Sequence, residues 1–223
     1  MRIFLLFIAL FPALLVAEPG TDEIPRSGWL PDEIYDQLEQ IETNKQIKAR
    51  RWLGPRLNFA NFQTVMVDEV AMYPEPEPNE RVSQETIDAI NEFTTRVMRD
   101  KVAAVLNLSW EPGPGVLRMR TALVGFHIQT EGMKAYEVLP VTAIFGAAKA
   151  ITGTRDQDVW LFYETRLEDS ETGELVGATM RAVNGDQLKG KKDQLSLDDM
   201  KESIDAATDD GNEVFGAHFE KSE

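Results

Sequence analysis

The sequence predicts an α+β fold with a single mixed or mostly antiparallel twisted sheet and with helices packed mainly on one face. Two strand-like runs, 159–168 and 175–183, flank a polar turn, which is typical of a β-hairpin. A third run from Val116 to Ile128 alternates as a strand, and apolar residues recur at helical spacing after Ser83. The resulting order of helix, strand, helix, strand, hairpin and helix fits such a sheet.

The beginning of the chain has the pattern of a secretory signal peptide. Met1 and Arg2 precede an unbroken apolar run from Ile3 to Val16, and Ala17 is a small residue of the kind found at signal peptidase sites. The run is too short to span a bilayer, which needs about 20 residues. We therefore expect cleavage near Ala17 and a periplasmic or secreted protein, with an uncleaved N-terminal anchor as the alternative.

The first half of the remaining chain predicts two helices and one strand. Apolar residues recur at helical spacing from Pro31 to Ile41, and the cationic run 48–51 that follows is expected on a solvated face. The Val-rich run from Phe62 to Met72 predicts a central strand that ends at alternate prolines, because proline lacks a backbone donor. Ser83 is placed to cap a second helix, which runs to about Leu108.

Two glycines set the geometry of the predicted sheet. The apolar phase of the run 116–128 shifts near Gly125, which predicts a bulge or a bend. Gly173 lies in the hairpin turn, where glycine is free to take a positive φ. The pairing of the two hairpin strands is therefore the most specific structural prediction.

The length fits one domain between short terminal segments. We interpret residues 1–17 as the signal peptide, 18–27 as a flexible N-terminus, 28–215 as a single α+β domain and 216–223 as a polar C-terminal tail. The Ser-x-x-Asp pattern from Ser196 to Asp199 is that of a capping box, so we expect a last helix that packs on the sheet.

The composition limits the partners of this protein. The chain has 223 residues, a formal net charge of -15 at pH 7 and no cysteine. Such acidity opposes binding to nucleic acid, and it serves either solubility or the attraction of a basic partner. A chain without cysteine forms no disulfide and carries no acylated cysteine, so we expect no lipid anchor.

Six short segments, in this order, carry a resemblance to a known family. They are Ser27-Gly28-Trp29-Leu30, Arg51-Trp52-Leu53, Asn58-Phe59-Ala60-Asn61-Phe62, Val65-Met66-Val67-Asp68, the run from Pro112 to Arg120 and the run from Glu168 to Leu175. Together they resemble the uncharacterised bacterial envelope family called domain of unknown function 3313, over residues 27–215. The resemblance implies an envelope protein with no established activity. Many relatives look like lipoproteins, and this chain departs from them in lacking the lipidated cysteine.

No sequence motif predicts catalysis or metal binding. The chain has no Gly-x-Ser-x-Gly elbow, and its acidic C-terminal segment fails the calcium-loop template because Ala206 and Ala217 stand where carboxylates are required. We therefore expect no catalytic, cofactor-binding or metal-binding residue, no cofactor and no enzymatic activity. The alternative is a hydrolase or a small-ligand-binding enzyme that uses dispersed residues such as His127, Asp68 and Glu164.

Two segments suit interaction with another protein. Trp160 and Phe162 share one strand face, where they are exposed if the sheet buries only its other face and are core if both faces are covered. The small-residue segment with Phe145, Gly146 and Ala147 lets another chain approach closely, with internal packing as the alternative. We therefore expect an exported, non-enzymatic protein that binds an envelope protein or assists envelope assembly through these residues.

Overall fold

The computed structural model describes residues 24, 26–42, 47–78, 83–130, 139–140, 157–185, 197–202, 204–205 and 208–209. Its helices are α1 (Asp32–Tyr35) and α2 (Gln84–Ala103). Its strands are β1 (Glu39–Ile41), β2 (Ile47–Leu53), β3 (Thr64–Val67), β4 (Ala71–Met72), β5 (Asn107–Leu108), β6 (Val116–Thr130), β7 (Leu139–Pro140), β8 (Gln157–Asp169) and β9 (Leu175–Gly185). Short 3-10 turns lie at Phe59–Asn61 and Leu197–Asp199. The predicted signal peptide and C-terminal tail lie outside the described residues.

The nine described strands join one mixed sheet. The order along its main path is β1-β2-β9-β8-β6-β3-β5, and β4 and β7 both pair with β6. β3 runs parallel to β5 and to β6, and β4 runs parallel to β6, whereas the other pairs are antiparallel. The α+β class and the mixed sheet are thus as the sequence predicts.

The predicted hairpin and the predicted bulge are both confirmed. β8 and β9 pair antiparallel, and Gly173 in the turn between them has a φ of 72°. β6 pairs antiparallel with β8, and the register shifts between Leu123 and Gly125, so that Val124 is the inserted residue. The change of apolar phase in the sequence therefore marks a real irregularity in the ladder.

The first predicted helix is wrong in its extent. α1 ends at Tyr35, and residues Glu39–Ile41, predicted as its continuation, form β1 at one edge of the sheet. β1 pairs antiparallel with β2, with Gln40 opposite Arg50. Hydrogen bonds to a neighbouring strand thus override the helical spacing of the apolar residues, because intrinsic helix preference is weak.

The cationic run 48–51 lies within the sheet and not on a separate solvated face. It belongs to β2, which lies between β1 and β9. Ile47 and Ala49 are buried, whereas Lys48 and Arg50 are half-buried. This alternation has the period of a strand, and the long stems of lysine and arginine can lie along a sheet while their charged ends reach water.

Two other predicted boundaries shift because short strands form beside them. The run 62–72 divides into β3 and β4, which both pair with β6. α2 ends at Ala103, earlier than predicted, because residues 107–108 pair with β3 as β5. The beginning of α2 is as predicted, since the Ser83 hydroxyl accepts a 3.1 Å hydrogen bond from a backbone N–H of the first turn.

The sheet is covered on both faces. On one face Ile90 of α2 and Ile204 pack in a cluster with Leu161. On the other face Ile34 of α1 packs in a cluster with Phe162. Helical residues thus contact both faces, whereas the sequence predicted helices mainly on one.

The predicted C-terminal helix is described only in parts. Met200 and Ile204 are buried against the sheet, and backbone hydrogen bonds continue from Leu197 to Ile204. Ser196 and Phe215 lie outside the described residues. Within the described part of the chain, no helix is both long and apolar enough to cross a membrane.

Candidate functional site

Glu164 is the buried centre of a hydrogen-bonded cluster on the α1 face of the sheet. Its side chain has 0% of its surface exposed. Its Oε2 accepts hydrogen bonds from the Ser27 hydroxyl at 2.8 Å, the Tyr35 hydroxyl at 2.8 Å and the Leu30 N–H at 3.2 Å. We call these four residues the Glu164 cluster. Because all three donors lie before β1, the cluster fixes the N-terminal segment to the middle of β8.

The local turn at residues 27–30 brings these donors together. Gly28 has a φ of 89°, a conformation that favours glycine, and its N–H donates to the Tyr35 hydroxyl at 2.8 Å. The Ser27 hydroxyl accepts from the Trp29 N–H at 2.9 Å. Burial raises the pKa of Tyr35, the Ser27 hydrogen bond lowers it, and Glu164 raises it further. The hydroxyl of Tyr35 is therefore held in its neutral, donating form.

Trp29 lies between two arginines on the same face. The guanidinium of Arg166 is 4.9 Å from the ring centroid and also donates to the backbone carbonyl of Trp29. The guanidinium of Arg120 is 5.9 Å from the same ring, and the ring of Tyr73 lies 5.5 Å away. These cation–π and ring contacts hold the indole against the sheet.

Asp68 links this face to the edge of the sheet. It follows β3 directly, and its carboxylate accepts from the Arg118 Nε and Nη2, the shortest distance being 2.7 Å. The Nε of Arg120 lies 3.5 Å from the same carboxylate. The hydrogen bonds to Asp68 raise the pKa of Arg118, so the guanidinium stays charged.

Asp68 also lines an open cleft of about 360 Å³ at the β3 and β5 edge of the sheet. The residues that line this cleft are Met66, Val67, Asp68, Glu69, Arg99, Ser109 and Trp110. We call it the Trp110 cleft. Trp110 has 71% of its surface exposed. The guanidinium of Arg99 lies 5.3 Å from the centroid of that ring.

The cleft forms because β5 is very short. β5 pairs with only two residues of β3, and the Ser109 N–H then donates to the Val65 carbonyl at 2.8 Å. The chain next turns away from the sheet, where the Ser109 hydroxyl donates to the Glu111 carbonyl at 2.7 Å. Trp110 lies in this turn, so its ring projects into solvent instead of packing in a core cluster.

Phe162 is the predicted interface residue that the structure places most clearly. It is buried, with 6% of its surface exposed, in the cluster beneath α1. Phe162 is therefore a core residue, which is the alternative to an exposed interface residue. Trp160 pairs through its backbone with β6 and β9, but its side chain lies outside the description. Phe145, Gly146 and Ala147 also lie outside the described residues, so the interface assigned to them stays a prediction.

The residues of the predicted enzymatic alternative take separate structural roles. Glu164 is enclosed by its own hydrogen-bond donors, and Asp68 is paired with Arg118. The backbone of His127 lies in β6 opposite Trp160, and its side chain is not described. Among the described residues, no group of three or more acidic or histidine side chains is placed to hold a metal ion, and the expectation of no metal stays a prediction.

Trp110 is the site residue that sequence reasoning missed. The sequence contains a signal for its exposure. Trp110 belongs to no periodic pattern, lies between Ser109 and Glu111, and is followed by a Pro-Gly-Pro-Gly turn. A large aromatic side chain in a turn has few neighbours to cover it. Such a residue is a better candidate for exposure than an aromatic within an alternating strand.

Comparison with known proteins gives the family. The model of the family described as "Protein of unknown function (DUF3313)" matches residues 25–210. The chain belongs to the DUF3313 family. The resemblance noted in the sequence is therefore confirmed, and the matched range contains both the Glu164 cluster and the Trp110 cleft.

Relatives of this DUF3313 chain include a curated protein of Escherichia coli. The uncharacterized lipoprotein YdcL of strain K12 is 28% identical over 184 residues, which cover 82% of this chain and 82% of YdcL. YdcL of Escherichia coli O157:H7 matches equally. Among solved structures, the PelC dodecamer from Paraburkholderia phytofirmans has a TM-score of 0.41 and 15% identity, and the match covers 78% of this chain and 97% of that one.

The comparison with YdcL contradicts the expectation of no lipid anchor. YdcL is a lipoprotein. The expectation rested on the absence of cysteine from this sequence, and the lipoprotein relative overturns it. The same finding agrees with export to the cell envelope.

Proposed function

We propose that this protein is an exported, non-enzymatic component of the bacterial cell envelope that binds a partner protein through the Trp110 cleft. The observation that supports it is the 71% exposure of Trp110 beside Arg99. Tryptophan and arginine are among the side chains that contribute most to binding when an interface covers them. The leader pattern from Met1 to Ala17 and the lipoprotein relative support the envelope location.

The shape of the cleft favours a protein over a small molecule. Sites for small ligands enclose most of the ligand surface in a concave pocket. The Trp110 cleft instead opens to solvent, and its strongest polar groups already have partners within the chain. Arg99 donates to the Val67 carbonyl, and Asp68 accepts from Arg118. These groups form a firm floor against which a partner surface can pack.

The enzymatic alternative receives no support from the described residues. A general base must reach a substrate proton, whereas Glu164 has 0% of its surface exposed and lies behind the N-terminal segment. Its hydrogen bonds hold the N-terminal segment on the sheet, which is a structural role. We therefore propose binding, and not catalysis, as the activity of this chain.

Site-directed photocrosslinking in intact cells tests the proposal. A photoreactive amino acid replaces Glu111, an exposed neighbour of Trp110, in the full chain. We expect one discrete crosslinked partner, which Trp110→Ala in the same chain removes. The matched controls are a photoreactive residue at Glu171 in the exposed hairpin turn and the variant Leu53→Ala, which truncates another exposed large apolar side chain. A crosslinked product that survives Trp110→Ala, or that forms equally from position 171, contradicts the proposed function.

A further inference from the structure

A segment of alternating prolines follows β4 on the way to α2. Its sequence is Pro74-Glu75-Pro76-Glu77-Pro78, and we call it the proline segment. The last backbone hydrogen bond before it joins the Tyr73 N–H to the Leu123 carbonyl at 3.0 Å. Within the part of the chain that the structure describes, no hydrogen bond or ion pair involves residues 74–78. The carbonyl groups of the proline segment are therefore not used by the described fold.

Covalent geometry keeps this segment extended without such bonds. The ring of proline fixes φ at about −65°, and it also disfavours helical backbone at the residue before it. These two restrictions act on each residue from Glu75 to Pro78. They favour the polyproline II helix, which has about three residues per turn and contains no internal hydrogen bonds.

The exposure of the proline segment has the same period. Pro76 is buried, whereas the two residues on each side of it are exposed. In a helix of about three residues per turn, residues three apart share an edge. Pro74 thus shares one solvent-facing edge with Glu77, and Glu75 shares the other with Pro78. The buried ring of Pro76 fixes the segment to the protein surface, and each exposed edge presents one proline and one carboxylate.

The chemistry of these edges specifies what can bind them. Proline rings in a polyproline II segment pack into grooves lined by aromatic side chains, and a preformed segment loses little conformational entropy on binding. Glu75 and Glu77 are exposed, and neither is paired with a cation among the described residues. They differ in this from Asp68, whose charge is balanced by Arg118. Unpaired carboxylates favour lysine or arginine at the rim of such a groove.

We infer that the proline segment is a second binding surface, and that its partner is a protein with a groove of aromatic side chains rimmed by lysine or arginine. The inference goes beyond the proposed function, because it depends on no residue of the Trp110 cleft. In that cleft this chain receives a partner, whereas here it presents a segment to one. Donors in the groove, such as an indole N–H, bind the carbonyl groups that the fold leaves unused.

Photocrosslinking in intact cells tests the inference on the full chain. A photoreactive amino acid replaces Asn79, which directly follows the proline segment, so that the segment itself stays unchanged. A photoreactive residue at Glu171 in the exposed hairpin turn is the matched control. We expect one discrete product with another protein from position 79 and none from position 171. Mass spectrometry of the crosslinked peptide is expected to place the attachment point near an aromatic side chain and near a lysine or arginine of the partner.

Two double variants separate the prolines from the charges. Pro74→Ala with Pro78→Ala is expected to reduce the crosslinked product about fivefold, because the unbound segment gains conformational freedom. Glu75→Lys with Glu77→Lys keeps every proline and is expected to reduce the product at least about tenfold, because like charges meet at the rim of the groove. Glu171→Lys is the charge control. Circular dichroism is expected to be that of the wild-type chain for each variant, since the replaced side chains are exposed.

The inference is overturned by three results. They are the absence of a product from position 79, a product that survives either double variant, and a product of twice the mass of this chain, which assigns the segment to a second copy. If Pro74→Ala with Pro78→Ala alters the circular dichroism, the lysine variant alone decides. In all of these cases a crosslink at position 111 that depends on Trp110 leaves the proposed function in place.

Discussion

The hydroxyl of Tyr35 in α1 donates a 2.8 Å hydrogen bond to Oε2 of Glu164 in β8, and the two residues are separated by 129 positions in the sequence. The acceptor atom also binds Ser27 and Leu30. One buried carboxyl group thus holds the whole N-terminal segment on the sheet. Because that segment packs with Phe162 and places Trp29 beside Arg120, the contact closes this face of the sheet.

Replacement of Glu164 is expected to destabilise the fold. Glu164→Leu removes the acceptor that the Ser27, Leu30 and Tyr35 donors share, so the free energy of unfolding falls by about 3 kcal/mol. Glu164→Gln keeps one acceptor oxygen and loses about half as much. Urea unfolding of the purified chain measures both values. Glu171→Gln, in the exposed hairpin turn, is the control, and an unchanged urea midpoint for Glu164→Leu contradicts the role of the Glu164 cluster.

Tyr163→Phe is expected to stabilise the protein. The hydroxyl of Tyr163 is buried, and it has no hydrogen-bond partner among the described residues. Its removal relieves the desolvation of an unpaired polar group, so we expect the free energy of unfolding to rise by about 1 kcal/mol. Tyr35→Phe is the matched comparison and is expected to lower that energy, because the Tyr35 hydroxyl bridges Gly28 and Glu164. A loss of stability in Tyr163→Phe contradicts the assignment.

Alkaline pH is expected to lower the free energy of unfolding, and two buried tyrosines contribute to this loss. Burial raises the pKa of both Tyr35 and Tyr163 in the folded state above the ordinary value. The folded state therefore keeps these protons when the unfolded state loses them, and stability is constant below about pH 10 and falls above it. Urea midpoints from about pH 8 to pH 11 measure the slope. A slope that is the same in the wild-type chain and in Tyr163→Phe argues against this contribution.

The parts of the fold that the sequence predicts are those with long, self-consistent patterns. The side-chain pattern of β6, β8 and β9 alternates over many residues. Gly125 marks the bulge in β6, and Gly173 marks the turn between β8 and β9. β1 and β5 contain three residues or fewer, and a segment so short is a strand only because a neighbour pairs with it. No local pattern indicates that neighbour, so the spacing of apolar residues predicts both segments as ends of helices.

The candidate site was less predictable for the same reason. Whether Phe162 is exposed depends on what covers its face, and the answer lies in Glu164 binding a segment more than a hundred residues earlier. Trp110, by contrast, is exposed because β5 ends just before it. Whether a residue on a sheet is buried depends on the segment that packs over it. The composition or spacing of one strand therefore cannot predict its burial.

Two glycines are expected to differ in their tolerance of alanine. Gly115 and Gly173 both have a φ of 72°, so alanine at either position costs about 1 kcal/mol of strain. Gly115→Ala is expected to lose slightly more, because its Cβ would displace the exposed side chain of Gln63, whose Nε2 donates to the Asn61 carbonyl just before β3. Gly113→Ala is the control, since nothing lies within 4 Å of its added Cβ. Thermal unfolding ranks the three, and equal melting temperatures for Gly115→Ala and Gly113→Ala contradict the prediction.

Asp68→Asn tests the structural role of the ion pair at the edge of β3. The ion pair with Arg118 is partly exposed, with 37% of the arginine and 18% of the aspartate side chain accessible. Its loss is therefore expected to lower the free energy of unfolding by only about 1 kcal/mol, and by less at high salt. Glu69→Gln removes the neighbouring charge without touching the Arg118 pair, so it is the matched control and is expected to leave the urea midpoint unchanged. If Asp68→Asn and Glu69→Gln unfold at the same urea midpoint, the pair between Asp68 and Arg118 does not stabilise this edge.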